Sequence, residues 1–245
     1  MKDVEAIILA GGKGTRLRPY TISIPKPLVP LGDEPIIEIL LQQLEACGIR
    51  RVHLALGHLA NLIKAYLEQT GTQRPMEILY SFETKALGTV GPVKQIPLTS
   101  DTFLVLNGDL LTTMSFEDLI ATHRRRGCIA TLAVHTRKVV MDYGVVEVSP
   151  DSHIVGHREK PSLEVKVGMG VYAFERRVLD HIPTDQKFDI PDLIQALLRA
   201  GEPIAAYDSE DYWMDIGRPD DYEIAHHDYT TSPERFLPGR HRSNP

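Results

Sequence analysis

The feature that most constrains the fold is an apolar run, Val4–Leu9, that passes directly into a glycine-rich loop. Such a run is typical of a strand buried on both faces of a parallel sheet. The loop contains Gly11, Gly12 and Gly14, and glycine lets backbone N–H groups turn toward a ligand because no side chain stands in the way. Successive free N–H groups form a concave anion site. The sequence therefore predicts a polyphosphate site at the end of a buried strand.

Two cations, Arg16 and Lys26, add full positive charge beside these glycines. The spacing does not fit a P-loop, because Thr15 follows the last glycine where that motif has a lysine. It does not fit the dinucleotide fingerprint either, since Leu17 stands where a third glycine belongs. Prolines on both sides of position 22 disfavour a helix directly after the loop. The loop thus belongs to a different class of phosphate site, although a glycine-rich stretch by itself is more often a simple turn.

Composition excludes several classes of function. The 245 residues are 42% hydrophobic and 24% charged, which is ordinary for a soluble globular protein. The net charge is 27 − 33 = −6, so no broad basic surface for nucleic acid is expected. The two cysteines are isolated from each other, which favours a reducing compartment and no structural metal. The first apolar run is far shorter than the ~20 residues that span a bilayer, and we expect a cytoplasmic protein with no membrane partner.

Strand and helix patterns alternate in the first half of the chain, which predicts an α/β fold with a three-layer α/β/α architecture and a mostly parallel sheet. The predicted strands there are Val4–Leu9, Arg51–Leu56, Glu77–Phe82 and Phe103–Leu106. The predicted helices are Ile36–Cys47, Leu59–Gln69, Thr89–Gln95 and one capped by Ser115 that runs through Arg126. After about residue 128 we expect strands Ile129–His135, Gly144–Val148, His153–Arg158, Gly170–Phe174 and Ile204–Tyr207, with helices Arg176–His181 and Ile190–Ala200.

These elements are expected to form one domain over residues 1–230. Two parts are expected within it, one to about residue 127 and one over about 128–228. Residues 231–245 contain few apolar side chains and are predicted to be a flexible tail.

Asp109 is the strongest candidate for a divalent-ion ligand. It follows the fourth predicted strand, and ligands of parallel sheets bind outside the carboxyl ends of the strands. Asp109 and the glycine loop are therefore expected at the same edge, although an Asn-Gly-Asp sequence is by itself more often a turn. Mg²⁺ takes one or two carboxylates together with phosphates, so Asp109 would suit Mg²⁺.

The string G-x-G-T-R-x-x-P, with Pro25-Lys26-Pro27 beyond it, resembles the signature of the sugar-phosphate nucleotidyltransferases. Further segments in the order of that family are Leu87–Pro92, Tyr143–Glu147, Arg158–Pro161 and Tyr212–Pro219, so the resemblance extends from residue 3 to about 225. It implies a Rossmann-like mixed sheet of the nucleotide-diphospho-sugar transferase type. It also implies an enzyme that joins a nucleoside triphosphate to a sugar 1-phosphate and releases pyrophosphate, with Mg²⁺ as cofactor.

The resemblance also assigns the two parts of the domain and its site residues. The part to about residue 127 would bind nucleotide, and the part over about 128–228 would bind a sugar phosphate. The catalytic residues it implies are Arg16, Lys26 and Asp109, and the metal ligands are Asp109 and Asp215, a pair that would suit Mg²⁺. The alternative role of Asp215 is to cap a helix near Pro219, for which Asp220 or Asp221 is better placed. The nucleotide-binding residues it implies are Leu9, Ala10, Gly11, Gly12, Gly14, Thr15, Arg16, Glu83, Gly88 and Thr89. Those implied for the sugar phosphate are Gly144, Glu159, Lys160 and Gly168.

Base, sugar and assembly stay open. The segment Ala86–Pro92 looks most like the guanylyltransferase branch, so GTP is favoured, with thymidylyl, cytidylyl and uridylyl transfer as alternatives. Gly168 stands where the family commonly has an asparagine that contacts the sugar, which leaves the sugar undetermined. A regulatory homologue that binds nucleotide sugars without turnover is a non-enzyme alternative. A glycosyltransferase on the same scaffold is another, although its usual D-x-D motif is not found here. A homo-oligomer is possible.

Overall fold

A seven-stranded mixed sheet organises the part of the chain that this computed structural model describes, residues 3–70 and 74–237. The strands are β1 Glu5–Ala10, β2 Pro30–Leu31, β3 Glu34–Pro35, β4 Arg51–Leu56, β5 Glu77–Phe82, β6 Thr102–Asn107, β7 Leu110–Thr112, β8 Ala130–Val140, β9 Val145–Val148, β10 Ile154–Arg158, β11 Ser162–Glu175, β12 Ile204–Asp208 and β13 Trp213–Asp215. The α-helices are α1 Ile36–Ala46, α2 Ala60–Thr70, α3 Phe116–Arg126, α4 Ile190–Arg199 and α5 Pro219–Thr231. Short 3₁₀ segments are Thr15–Leu17, Lys26–Leu28, Gly91–Gln95, Arg176–His181 and Pro233–Arg235.

The large sheet has the strand order β12-β8-β11-β6-β1-β4-β5. β1 pairs in parallel with β4 and β6, and β4 pairs in parallel with β5. β11 runs antiparallel to both β6 and β8, whereas β12 is parallel to β8. The carboxyl ends of β1, β4, β5 and β6 therefore meet at one edge.

Apolar side chains cover both faces of this sheet. In β6, Phe103 and Val105 enter one buried cluster, and Leu104 and Leu106 enter the other. The first cluster also receives side chains from α4 and from the 3₁₀ segment Gly91–Gln95. The second receives side chains from α1, α2, α3 and α5. Two apolar layers on opposite faces of one sheet make three layers, so the predicted α/β/α fold class is confirmed.

The boundaries of α3 follow from its sequence. The Ser115 side chain accepts a hydrogen bond from the backbone N–H of Asp118 at 3.1 Å, which confirms the predicted N-cap. The helix ends at Gly127, whose φ of 60° is the left-handed conformation that glycine adopts without strain. Two more predicted helices are 3₁₀ segments instead: Thr89–Gln95 is shortened to Gly91–Gln95, and Arg176–His181 keeps its predicted bounds. Segments of six residues or fewer close too few i to i−4 hydrogen bonds to favour an α-helix.

The predicted strands Ile129–His135 and Gly170–Phe174 are parts of much longer strands. Ala130 of β8 pairs with Phe174 of β11, and the pairing of the two strands extends out to Val140 and Ser162. In the chain, the β9–β10 hairpin connects their outer ends. We call residues 136–168 the projecting arm. Most of its valines and its isoleucine are exposed, and none is buried; Ile154, for example, is 71% exposed. Because the arm lacks a buried face, sequence periodicity does not reveal its full length.

The end of the described chain is packed, not loose. Phe236 is fully buried, and its carbonyl accepts a hydrogen bond from Gln43 Nε2 at 2.9 Å. Its ring meets the edge of Tyr212 at a centroid distance of 5.1 Å. The prediction of a flexible tail over 231–245 is therefore wrong for residues 231–237, while 238–245 lie outside the described residues. Phe236 and Leu237 stand alone among polar neighbours, so no pattern in the sequence indicates their burial.

In the described ranges no helix has the length and apolar character needed to cross a lipid bilayer. The predicted division of the domain near residue 127 coincides with Gly127, between α3 and β8, and stays a prediction.

Replacement of Phe236 by alanine tests the packing of this segment. We expect Phe236→Ala to lower the free energy of unfolding by about 3–5 kcal/mol, because it leaves a cavity between Tyr212 and Tyr229. Urea denaturation followed by circular dichroism measures the change. Ile224→Ala in the neighbouring helix α5 is the control. Ile224 is half exposed, so this replacement should change the free energy of unfolding by less than about 0.5 kcal/mol. Equal midpoints for Phe236→Ala and wild type would mean that the segment is loose after all.

Candidate functional site

The loops that follow β1 and β6 are joined at the carboxyl edge of the sheet. The backbone N–H of Gly108 donates to the carbonyl of Leu9 at 3.0 Å. A Cβ at Gly108 would lie 2.8 Å from that carbonyl oxygen, so only glycine permits the approach. This contact places Asp109 beside the glycine-rich loop, as the sequence predicts.

The glycine-rich loop folds back on Lys26. Gly14 has a φ of 59°, and its carbonyl accepts a hydrogen bond from the Thr21 hydroxyl at 2.7 Å. A Cβ at Gly14 would lie 3.3 Å from the Cβ of Lys26. A 3₁₀ turn, Thr15–Leu17, follows, in agreement with the expectation that no helix begins here. The turn carries Arg16 to the same side of the loop as Lys26.

A short ladder between β7 and β13 brings Asp215 to Asp109. In this antiparallel pair Asp215 faces Leu110, and the backbone N–H of Ile216 donates to the carbonyl of Asp109 at 3.0 Å. Asp215 does not cap α5, because the N-cap residue of that helix is Arg218. Asp220 and Asp221 occupy the first turn of α5, as predicted.

Four charged side chains converge at this point. Lys26 Nζ forms an ion pair with Asp109 Oδ2, and the Lys26 side chain is only 10% exposed. Burial raises the pKa of the Asp215 carboxyl above its ordinary value, and the negative charge of Asp109 raises it further. The positive charges of Lys26 and Arg16 oppose that rise. The guanidinium carbon of Arg16 lies 3.5 Å from the place where a Cβ of Gly217 would be.

The oxygen atoms of this cluster suit a hard divalent cation. Asp109 Oδ1 is buried and has no hydrogen-bond partner among the described residues. Two neighbouring carboxylates repel each other, as the raised pKa of Asp215 indicates, and a cation between them would relieve the repulsion. The described ranges contain no group of three or more His, Cys, Asp or Glu side chains that could hold a metal. Octahedral coordination would therefore need further oxygen atoms from a phosphate ligand or water.

A continuous cleft extends from this cluster along the sheet edge. A cavity of about 230 Å³ lies over the glycine-rich loop, and a second of about 500 Å³ adjoins it toward β5. The residues that line both cavities are Leu9, Gly12, Arg16 and Asp109. Of the other predicted nucleotide residues, the first cavity is lined by Ala10, Gly14 and Thr15, and the second by Gly11, Glu83, Gly88 and Thr89. The structure thus brings together the predicted nucleotide-binding set.

Glu83 lies at the far end of this cleft. Its side chain faces Gly11, where a Cβ would come within 2.5 Å of Glu83 Oε1. Glu83 Oε2 accepts a long hydrogen bond of 3.4 Å from the backbone N–H of Leu87. Burial raises the pKa of the Glu83 carboxyl, and the Leu87 N–H opposes the rise. The end of the cleft therefore offers a carboxylate with spare acceptor capacity.

The residues predicted to bind a sugar phosphate lie on the projecting arm. Gly144 approaches Glu159, since a Cβ there would be 3.0 Å from Glu159 Oε2, and Lys160 is exposed beside them. Gly168 faces open space, with no atom within 4 Å of where its Cβ would be. Among the described residues that line the two cavities, none of these four appears. Their roles stay predictions.

Asn107 and Asp189 are among the cleft residues that the sequence analysis did not assign to the site. Asn107 lines the cleft, and Gly170, with a φ of 74°, packs so closely that its Cβ would be 2.5 Å from Asn107 Nδ2. Asp189 lines the same cleft from the far half of the chain. The spacing of Asp189 and Asp192 forms a capping box at the start of α4, and this signal could have drawn attention to it.

Comparisons with known proteins agree with this geometry. The family described as nucleotidyl transferase matches residues 5–232. A UTP–glucose-1-phosphate uridylyltransferase of Synechocystis is 37% identical over 239 residues, which cover 89% of this chain and 61% of that protein. A mannose-1-phosphate guanylyltransferase catalytic subunit beta of Drosophila pseudoobscura pseudoobscura is 36% identical over 223 residues, with 89% and 60% covered.

Among solved structures, HddC from Yersinia pseudotuberculosis is similar, with a TM-score of 0.72 and 26% identity. The match covers 92% of this chain and 99% of HddC. The chain spans about 61% of the length of the Synechocystis relative, so it corresponds to part of that protein. The match over residues 5–232, together with the shared fold, establishes that the chain belongs to the nucleotidyl transferase family.

Proposed function

We propose that the chain joins a nucleoside triphosphate to a sugar 1-phosphate, with GTP as the preferred triphosphate and Mg²⁺ as cofactor. The observation that carries the proposal is the cluster of Lys26, Arg16, Asp109 and Asp215 at the mouth of a glycine-lined cleft. A cleft with two cations and two carboxylates suits a reaction between two anions with a divalent ion. The relatives named above, a uridylyltransferase and a guanylyltransferase of sugar 1-phosphates, support the same reaction class.

The chemistry needs no general base. A sugar 1-phosphate is largely ionised at neutral pH, so its oxygen attacks the α-phosphorus directly, the bond to the β-phosphate oxygen breaks, and pyrophosphate leaves. Catalysis then depends on positioning and on neutralising charge. Lys26 offsets charge at the α-phosphate, and Arg16 with the loop N–H groups binds the β- and γ-phosphates. Mg²⁺ held by Asp109 and Asp215 would neutralise phosphate charge.

Glu83 supports the preference for GTP. Guanine presents two adjacent donors, N1–H and the N2 amino group, and a carboxylate accepts from both at once. Uracil and thymine have a single N–H between two carbonyl groups, which a carboxylate would repel. Glu83 is half-buried in the second cavity, beside Gly11, and on this proposal the base would lie there. The 37% identical uridylyltransferase favours UTP as the second candidate.

The acceptor sugar is proposed to bind between the cleft and the projecting arm. Glu159 would accept hydrogen bonds from sugar hydroxyls, Lys160 would pair with the acceptor phosphate, and Gly144 would let the backbone approach the sugar. The open space at Gly168 leaves room for a ring substituent there. The cytoplasmic location expected from the sequence stays a prediction, and the question of a homo-oligomer stays open.

A matrix of triphosphates against sugar 1-phosphates, read by pyrophosphate release with Mg²⁺, tests the proposed reaction. We expect the highest kcat/KM with GTP and one sugar 1-phosphate. Lys26→Met should lower kcat by about 10²-fold, because it removes one preorganised charge from the transition state. Lys64→Met, an exposed position on α2, is the matched control and should retain wild-type rates. If the folded protein releases no pyrophosphate with any pair of substrates, a regulatory homologue would be favoured instead.

Asp109→Asn tests the proposed metal site. The amide keeps the shape of the side chain but removes its charge, so we expect the Mg²⁺ concentration for half-maximal activity to rise at least about tenfold. Titration of activity with Mg²⁺ at saturating substrates measures the shift. Asp33→Asn, in the exposed turn between β2 and β3, should leave the titration unchanged. An unaltered Mg²⁺ titration in Asp109→Asn would exclude Asp109 as a ligand.

Glu83→Gln tests the proposed contact with the base. We expect kcat/KM for GTP to fall by about tenfold or more, and kcat/KM for UTP to change little, because only guanine loses an acceptor for its two donors. Glu77→Gln, at the other end of β5, is the control.

The pH dependence of the KM for GTP provides a second readout of Glu83. Burial raises the pKa of Glu83, so its charged form is present above that raised pKa and is lost as the pH falls through it. The KM for GTP should therefore rise in acid at a higher pH than an ordinary glutamate would give, and Glu83→Gln should flatten this limb. An identical acid limb in wild type and variant would contradict the contact.

A further inference from the structure

We propose that Asp189 is a positioning residue, which holds the loop Leu87–Gly91 in the shape that receives the nucleotide base. This inference rests on the proposed function, because it assigns the loop to the base end of the same cleft. Asp189 belongs to the second half of the chain, 100 residues beyond Thr89.

Two reciprocal hydrogen bonds connect the loop to the start of α4. The backbone N–H of Thr89 donates to Asp189 Oδ1 at 2.8 Å, and the backbone N–H of Ile190 donates to Thr89 Oγ1 at 2.8 Å. The first N–H groups of a helix have no partner within the helix, so the Thr89 hydroxyl satisfies one that would otherwise lack a protein acceptor. Each segment thus supplies the partner that the other requires.

Backbone contacts dock the rest of the loop on the residue before Asp189. The carbonyl of Phe188 accepts hydrogen bonds from Val90 N at 3.1 Å and Gly91 N at 3.0 Å, and Phe188 N donates to the Leu87 carbonyl at 2.9 Å. Gly88 has a φ of 80°, and its Cβ would be 2.6 Å from the Phe188 carbonyl oxygen. Only glycine allows this approach, so the loop has little freedom to take another shape.

The helix to which the loop is joined is itself fixed. Asp189 and Asp192 form a capping box at its start, and Asp192 Oδ2 accepts from Asp189 N at 2.9 Å. Leu193 and Leu197 of α4 are fully buried, in the same apolar cluster as Val90. The position of the loop is therefore set by the core of the molecule.

The junction has consequences for the base site because Asp189, Thr89 and Glu83 line one cavity. The Leu87 N–H of the loop also donates a hydrogen bond to Glu83, so displacement of the loop would remove a hydrogen-bond partner of the Glu83 carboxylate. A loop held in its bound shape before the ligand arrives avoids the entropy cost of ordering on binding. Arg16, Asp109 and Asp215 line the same cavity, but among the described residues none of them takes part in these hydrogen bonds. Loss of Asp189 should therefore affect nucleotide affinity and not the chemical step.

Asp189→Ala tests the proposal through a split between KM and kcat. We expect the KM for the triphosphate to rise about tenfold, because a charge-assisted hydrogen bond is lost, while kcat stays within about twofold of wild type. Amide hydrogen exchange should become faster over residues 87–91. Asp189→Asn keeps an oxygen acceptor for the Thr89 N–H and should restore most of the affinity and the protection.

Asp192→Ala is the matched control, because it removes the other half of the same capping box and the same charge. It should leave the KM near wild type even where exchange at the start of α4 becomes faster. Equal rises of KM in Asp189→Ala and Asp192→Ala would mean that only the helix cap matters, and would overturn the proposal. A raised KM without faster exchange over 87–91 would indicate direct contact with the nucleotide and would overturn it also, as would an unchanged KM.

Hydrogen exchange separates this inference from the proposed function. If the wild-type protein released no pyrophosphate with any of the tested pairs of triphosphate and sugar 1-phosphate, the proposed reaction would be wrong. The exchange of residues 87–91 in Asp189→Ala would still report whether Asp189 fixes the loop, and unchanged exchange would then refute the positioning role.

Discussion

The site depends on the close approach of like charges that the fold imposes at one edge of the sheet. Asp109 and Asp215 lie beside each other, and burial, together with the negative charge of Asp109, raises the pKa of Asp215. Lys26 pairs with one of them and Arg16 lies near the other, so the protein provides partial compensation. An arrangement of this kind costs stability and is retained where a ligand completes it. We propose that this ligand is a divalent cation bound together with a polyphosphate.

The two halves of the chain contribute to this site in different ways. The parallel strands β1, β4, β5 and β6 present the glycine-rich loop, Glu83 and Asp109 at their carboxyl ends. The second half returns to the same edge twice, through β13 with Asp215 and through the start of α4 with Asp189. The first return completes the charge cluster, and the second contacts the loop Leu87–Gly91, which we propose receives the base. Because both halves of the chain contribute to the cleft, it forms only when the complete sheet has folded.

The sequence predicts best where burial imposes a pattern. β4 begins and ends where expected, because its buried apolar run is bounded by turns. β5 also has the expected bounds, although its side chains are at most partly buried. Ser115 is found at the predicted cap, and the parallel-sheet rule places Asp109 beside the glycine loop. In each case a local signal or a general rule of sheet topology is sufficient.

The remaining features depend on contacts that periodicity does not encode. β7 and β13 have three residues each, which is too short for a recognisable pattern, yet their pairing brings Asp215 to Asp109. The projecting arm is exposed on both faces, so the length of β8 and β11 is hidden. Phe236 fills a core formed by distant residues. Asp189 has the local appearance of a helix cap, and its second partner, Thr89, becomes evident only in three dimensions.

The most direct test of the charge cluster is to locate a bound metal. Mn²⁺ prefers the same octahedral oxygen coordination as Mg²⁺, and its anomalous scattering identifies it in crystals soaked with a non-hydrolysable GTP analogue. The account predicts one strong anomalous peak within bonding distance of both Asp109 and Asp215, with the triphosphate along the glycine-rich loop. A well-occupied analogue whose metal and triphosphate lie elsewhere would contradict it.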